Sequence, residues 1–114
     1  MTPDELKKLV LDTLDDYKAN DVTDIDVRKL TNIADYMIIC SSTSKRHAQT
    51  ISEHLITNAK KHGVQPLGVE GEEDGEWILV DLVDVIVHIM QPKIREFYSL
   101  EKLWTKVEET REKE

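Results

Sequence analysis

The stretch from Pro66 to Gln91, PLGVEGEEDGEWILVDLVDVIVHIMQ, constrains the fold of this chain more than any other. It holds the longest strand-like apolar run, divided by Val83 and Asp84 into Trp77–Leu82 and Val85–Met90. Two strands this close in sequence read as a hairpin. The acidic residues of the stretch are Glu70, Glu72, Glu73, Asp74, Glu76, Asp81 and Asp84, and it contains no Lys or Arg. Trp77 stands where the acidic loop, Gly71 to Gly75, gives way to the apolar run. An aromatic beside carboxylates at a strand start is either a binding edge or part of an ordinary hairpin with a solvated turn.

The rest of the chain supplies the other elements. Asp35 to Cys40, DYMIIC, carries apolar residues on both faces and should be a central strand. Asp24 to Val27 alternates as a short strand with polar residues on one face, and Val64 to Glu70 is a further strand. Residues 3–19 read as an amphipathic helix, with Leu6, Leu9, Val10, Leu14 and Tyr17 at helical spacing. Thr2 and Glu5 form a capping-box pattern with Pro3 between them. Ser44 is the expected N-cap of a second helix, which places Ala48, Ile51, Leu55 and Ala59 on one face and stops at Gly63. Pro92 opens a helical segment with Ile94, Phe97 and Tyr98. Ser99 could cap another with Leu100, Leu103, Trp104 and Val107, so one helix and two remain open here. The expected order is α-β-β-α-β-β-β-α: an α/β (α+β) fold with one mixed sheet of about five strands and helices packed on it. Residues 1–107 would be a single domain, and the charged tail at 108–114 is expected to fray.

Charge narrows the partners. With 114 residues and a net charge of −8, the chain forms one domain ill suited to bare nucleic acid, because neutralising phosphates requires Lys and Arg. A basic protein within a ribonucleoprotein would suit it better. Cys40 is the only cysteine, which excludes an internal disulfide or a cysteine-based zinc site and fits a reducing compartment. No signal-peptide core is visible, and no apolar run approaches the roughly 18 residues of a membrane span. A cytoplasmic protein that touches no membrane is expected.

Three constellations bear on catalysis. Asp24 and Asp26 point to one face of a strand and, with Asp81 or Asp84, could hold Mg²⁺ for nucleotidyl transfer. The polar connection at 41–44 could then accept a phosphate, although it contains no glycine. The simpler reading, a solvated strand face and a capped helix, is preferred. His47 and His54 lie two helical turns apart, roughly 10 Å, too far to share an ion directly. His88, in the apolar fifth strand, reads as a core histidine with one hydrogen-bonded nitrogen. Cys40 with His47 could be called a nucleophile and base, but nothing marks a thiolate site, and a small core residue beside an exposed histidine is the expectation. No catalytic residue, cofactor or metal is expected. Trp77 is one of six aromatic residues and serves either as a core filler or as an interface anchor.

Four segments, DIDV at 24–27, DYMIICSSTSKRH at 35–47, PLGVEGEEDGEWILVDLVDVIVHIM at 66–90 and REFYSLEKLW at 95–104, resemble the Iojap family of bacterial ribosomal silencing factors. The resemblance runs from Leu6 to about Trp104. It implies a mixed-sheet α/β domain akin to the nucleotidyltransferase core, without known catalysis. It also implies binding to the large ribosomal subunit through ribosomal protein L-fourteen. The bound factor would sterically block joining of the small subunit and repress translation when nutrients are scarce. Trp77 matches the family's interface tryptophan. Glu70, Asp81, Asp84 and His88 match positions of the same motif and are secondary interface candidates. Tyr98 and Leu100 match the motif after the last strand and are assigned to neither interface nor core. Family members usually carry glycine where this chain has Ser42 and Val83. The turn at Val83 must therefore use ordinary φ and ψ values or be strained. An apolar sheet edge or exposed aromatic could also support a homodimer.

Overall fold

Local signals set the first helix. A computed structural model describes residues 1–102, and α1 spans Pro3–Asp16. Thr2 Oγ1 accepts from the Glu5 amide at 3.1 Å, and Glu5 Oε1 accepts from the Thr2 amide at 3.0 Å. These bonds close the expected capping box. The helix ends three residues short of the expected Ala19, because Tyr17 is its C-cap and Lys18 turns left-handed at φ 60°. The chain then enters β1, Asn20–Asp26, earlier than expected at its start. Asn20 pairs with Ser41 and Thr23 with Ile39, so a bulge lies between them, and Asp21 takes φ 48°.

Strand β2, Tyr36–Ser41, is buried throughout. Helix α2, Lys45–Lys61, starts where Ser44 Oγ accepts the His47 amide at 3.0 Å and stops before Gly63 at φ +80°. Strand β3 is only Gly68–Glu70, shorter than the expected Val64–Glu70. Pro66 has no amide to donate to a ladder. Strands β4, Trp77–Asp81, and β5, Val85–Met90, form the expected hairpin. Helix α3, Pro92–Tyr98, ends at Ser99 in the left-handed region, and helical structure resumes at residues 100–102, so the segment is two pieces. The stripe expected at Leu103, Trp104 and Val107 and the tail at 108–114 lie outside the described residues.

The strands form one mixed sheet in the order β1-β2-β5-β4-β3, with β2 and β5 parallel and every other neighbouring pair antiparallel. This is the α/β fold expected. The two central strands are apolar on both faces, as their place requires. On one face Ile38, Cys40, Ile78, Val80, Val87 and Ile89 pack with Leu6, Val10 and Leu14 of α1 and Ile51, Leu55 and Ala59 of α2. Each fully buried aliphatic side chain there stabilises the fold by about 1.5–3 kcal/mol. Among the described residues the opposite face receives no long helix. Val27, Met37, Ile39 and Met90 form a small second cluster there, with Ile25, Leu30, Trp77, Ile94 and Leu100 packed at its margin. Among the described residues no helix is long and apolar enough to cross a membrane.

The β4–β5 turn settles the alternative left open for Val83. Leu82 donates its amide to Val85 O at 2.9 Å, and Asp84 donates to Leu82 O at 3.0 Å across Val83, which sits at φ 74°. A bond between residues two apart around such a φ is the rare, strained γ-turn. Asp81 Oδ1 accepts the Val83 amide at 2.9 Å and holds the turn from one side.

Candidate functional site

The sheet face opposite α1 and α2 gathers most of the residues singled out in the sequence. Trp77 pairs with Met90, Leu79 with His88 and Asp81 with Ile86. Alternation therefore puts these six side chains on one face. Pairing of Gly68 with Asp81 and of Glu70 with Leu79 adds Glu70 to that face. Glu70 is exposed, Asp81 and Trp77 are half-buried, and His88 is 6% exposed. Asp84 lies at the turn, where its carbonyl accepts the Asp35 and Tyr36 amides at 2.9 and 3.1 Å.

Trp77 is held from two sides. Its indole Nε1–H donates to His88 Nδ1 at 2.9 Å. Tyr98 of α3, half-exposed, tilts against the indole with ring centroids 4.8 Å apart. The indole therefore keeps a fixed orientation while remaining partly open to solvent. Its backbone is fixed as well. Gly71, at φ +84°, lies so close to the Trp77 carbonyl that a Cβ there would stand 2.1 Å from the oxygen. Any side chain at Gly71 would displace the start of β4.

His88 is the core histidine expected, with one nitrogen bonded. Burial pushes its pKa down to about 4, so the ring is neutral at physiological pH. Because Nδ1 accepts from Trp77, the ring proton is assigned to Nε2. Beside His88 a largely apolar cavity of about 220 Å³ opens between Ile33, Ala34, Met37, Leu79 and Ile86. Ile33 is 75% exposed, and Phe97 near the other end of the face is 80% exposed. Phe97 meets Tyr98 edge-on at 5.0 Å.

Sequence reasoning missed what holds α3 in place. Arg95, whose side chain is largely buried, donates to Glu101 at 2.5 Å, Asp21 O at 2.6 Å, Ser41 Oγ at 2.9 Å and Thr23 Oγ1 at 3.2 Å. The guanidinium thus ties α3, and Tyr98 with it, to β1 and β2. No local pattern around Arg95 signals partners so remote in the chain. The acidic loop also lies differently from its position in sequence. Gln49 of α2 donates to Glu72 O at 2.8 Å, so the loop is tied to the helix-covered side, away from the indole.

The catalytic alternatives come apart. Asp24 pairs with Lys7 at 3.1 Å and Asp26 with Arg28 at 2.6 Å. The Arg28 side chain holds the Asp26 carboxyl down at about 2. Their register opposite Ile38 and Tyr36 puts both aspartates on the α1 side of the sheet, whereas Asp81 faces the other way. Among the described residues no three His, Cys, Asp or Glu side chains are placed to hold a metal. Cys40 is fully buried, and burial pushes its thiol up to about 12. His47 is half-buried rather than exposed, with Nε2 2.8 Å from Tyr17 O and Nδ1 accepting the Thr43 amide at 2.9 Å. His54 stacks on Tyr17 at 3.8 Å, so both histidines lock α2 to the end of α1. Ser42 Oγ is buried without a partner in a residue of zero exposure, so it offers nothing to a phosphate in solvent.

Residues 1–114 match the family model described as "Ribosomal silencing factor during starvation". The chain is 46% identical over 99 residues to a protein of Haemophilus influenzae named ribosomal silencing factor RsfS, an alignment covering 87% of this chain and 97% of that one. A protein of the same name from Chromobacterium violaceum is 39% identical over 100 residues, covering 88% of this chain and 82% of that one. A crystal structure from Chromobacterium violaceum superposes with a TM-score of 0.90 at 38% identity, covering 92% of this chain and 88% of that one.

Proposed function

The chain belongs to the family of ribosomal silencing factors, and we propose that it acts without catalysis, by occupying a protein surface of the large ribosomal subunit. The partner in this reading is ribosomal protein L-fourteen, and the bound domain sterically blocks the small subunit, repressing translation when nutrients are limiting. The observation that carries the proposal is Trp77: half-buried, oriented by His88 and Tyr98, on the sheet face that no long helix among the described residues covers. An aromatic already fixed in one orientation loses little further freedom on binding. Glu70, Asp81 and Asp84 at the margin favour a basic protein surface. The net charge of −8 disfavours direct contact with RNA. His88 acts by holding the indole, and Tyr98 by covering its other side.

The test is sedimentation of purified ribosomal subunits with the protein. Wild type should travel with large subunits and reduce the fraction of joined ribosomes. Trp77→Ala should weaken binding by about 2 kcal/mol or more, roughly thirtyfold. Equal activity of wild type and Trp77→Ala would remove Trp77 as the anchor.

A further inference from the structure

We propose that the cavity beside His88 is a socket for an aliphatic side chain of the bound ribosomal protein, with His88 Nε2–H donating to a carbonyl of that same segment. This rests on the reading of the Trp77 face as the partner surface and specifies what enters it. The cavity, about 220 Å³, is walled by Ala34, Met37, Leu79 and Ile86 and has almost no polar surface. That excludes a phosphate, a nucleobase edge or a charged side chain as its natural filling, since each would lose hydration without replacement bonds. Its volume suits one or two branched aliphatic groups.

The polar element is what makes this a socket rather than a surface dimple. His88 lines the cavity and is 6% exposed. Its Nδ1 is taken by Trp77, which leaves the ring proton on Nε2, and Nε2 has no hydrogen-bond partner among the described residues. Buried donors are rarely left unpaired. Among the described residues the side-chain nitrogens or oxygens both unpartnered and sealed from solvent are Ser42 Oγ and Ser52 Oγ. Nε2 is not one of them, so it is not wholly sealed, and the proposed carbonyl would be its partner. The socket is also continuous with the anchor, because one imidazole bonds the indole on one side and lines the cavity on the other. Ile33, 75% exposed at the mouth, supplies an apolar lip.

Large-subunit binding by wild type, Ala34→Leu, Ile33→Asn and Trp77→Ala tests the proposal. Ala34→Leu fills the socket without touching Trp77. Ile33→Asn alters an exposed lip and leaves the core intact. The expected result is at least about tenfold weaker binding for each, the factor equivalent to ~1.4 kcal/mol. Thermal melting of the free variants establishes that each is folded. In the complex, the Nε2 proton of His88 should exchange more slowly than in the free protein, as seen by nitrogen-15 NMR. If Trp77→Ala loses binding while folded Ile33→Asn binds like wild type and the His88 proton exchanges unchanged, the socket is wrong and the Trp77 reading stands. If wild type fails to bind large subunits, both fall.

Discussion

Protonating His88 should cost this fold a measurable part of its stability. The perturbation is pH. Nδ1 accepts the Trp77 indole N–H at 2.9 Å, so a proton placed there would set two donors against each other. A proton's charge would also sit in a residue only 6% exposed. Burial lowers the pKa from 6.5 to about 4. Each unit is worth ~1.36 kcal/mol, so the full effect is about 3 kcal/mol. Above pH 6.5 the ring is neutral in both folded and unfolded chains and contributes no slope. As pH falls from 6.5 towards 4, the unfolded chain takes up a proton that the folded chain refuses, and stability drops. Below about 4 both states are protonated and the loss is complete. Against a typical total of about 5–15 kcal/mol this is large. The assay is urea unfolding by circular dichroism from neutral pH down to about pH 4, on wild type and His88→Asn. Asparagine can offer Oδ1 to the indole from near the Nδ1 position and does not titrate. The difference between the two curves cancels the carboxylates common to both. Wild type should lose about 3 kcal/mol more than the variant. Parallel curves, or an NMR titration of folded His88 centred near 6.5, would refute the reasoning.

Two further substitutions probe the frame around the site. Val83→Gly should stabilise the protein by about 1 kcal/mol, because relief of ~1–3 kcal/mol of backbone strain outweighs the ~0.4–1 kcal/mol of added unfolded-state freedom. The melting temperature should rise by roughly 4 °C, while Val83→Ala, which keeps the Cβ at φ 74°, should gain little; a lower melting temperature for the glycine variant contradicts the strain argument. Arg95→Ala should destabilise by about 3 kcal/mol, since it strips Ser41, Thr23 and Asp21 O of their shared donor. Hydrogen exchange in α3 should quicken selectively, and unchanged exchange there would show that the helix is held by other means.

What the sequence made legible follows from how local each signal is. The capping box at Thr2 and Glu5, the Ser44 cap and the bounds of Val85–Met90 were readable because residues a few positions apart carry them. Strand β1 begins before the expected Asp24 because its polar start at Asn20 is held by backbone pairing with Ser41, which leaves no apolar trace. Strand β3 shrinks because the ladder to β4 thins towards its start: exposed Leu67 donates to Asp81 O at 2.8 Å, but Pro66 before it has no amide to donate. The Iojap resemblance singled out Trp77 and His88, but their hydrogen bond depends on the register between β4 and β5. The acidic loop was misleading for a physical reason. Adjacency in sequence does not set the side of the sheet, and Gln49 draws the loop towards α2. Arg95 was invisible because, apart from Glu101, its partners Asp21, Thr23 and Ser41 lie 54 to 74 residues away in the chain.

The parallel seam between β2 and β5 has a consequence for how the molecule comes into being. Strands β1 and β2 are neighbours in the chain, and β3, β4 and β5 follow one another as a meander, so each group can form early from nearby residues. The seam joins partners as distant as Tyr36 and Val85, and bringing such partners together is the slow event in folding. Met37 and Ile39 come from the first group, and Trp77, Leu79 and His88 from the second. The candidate docking face therefore spans the join and exists only after the halves have met. A chain still being synthesised, or one stalled with its halves apart, would present no such face, so completion of folding itself licenses this surface to act.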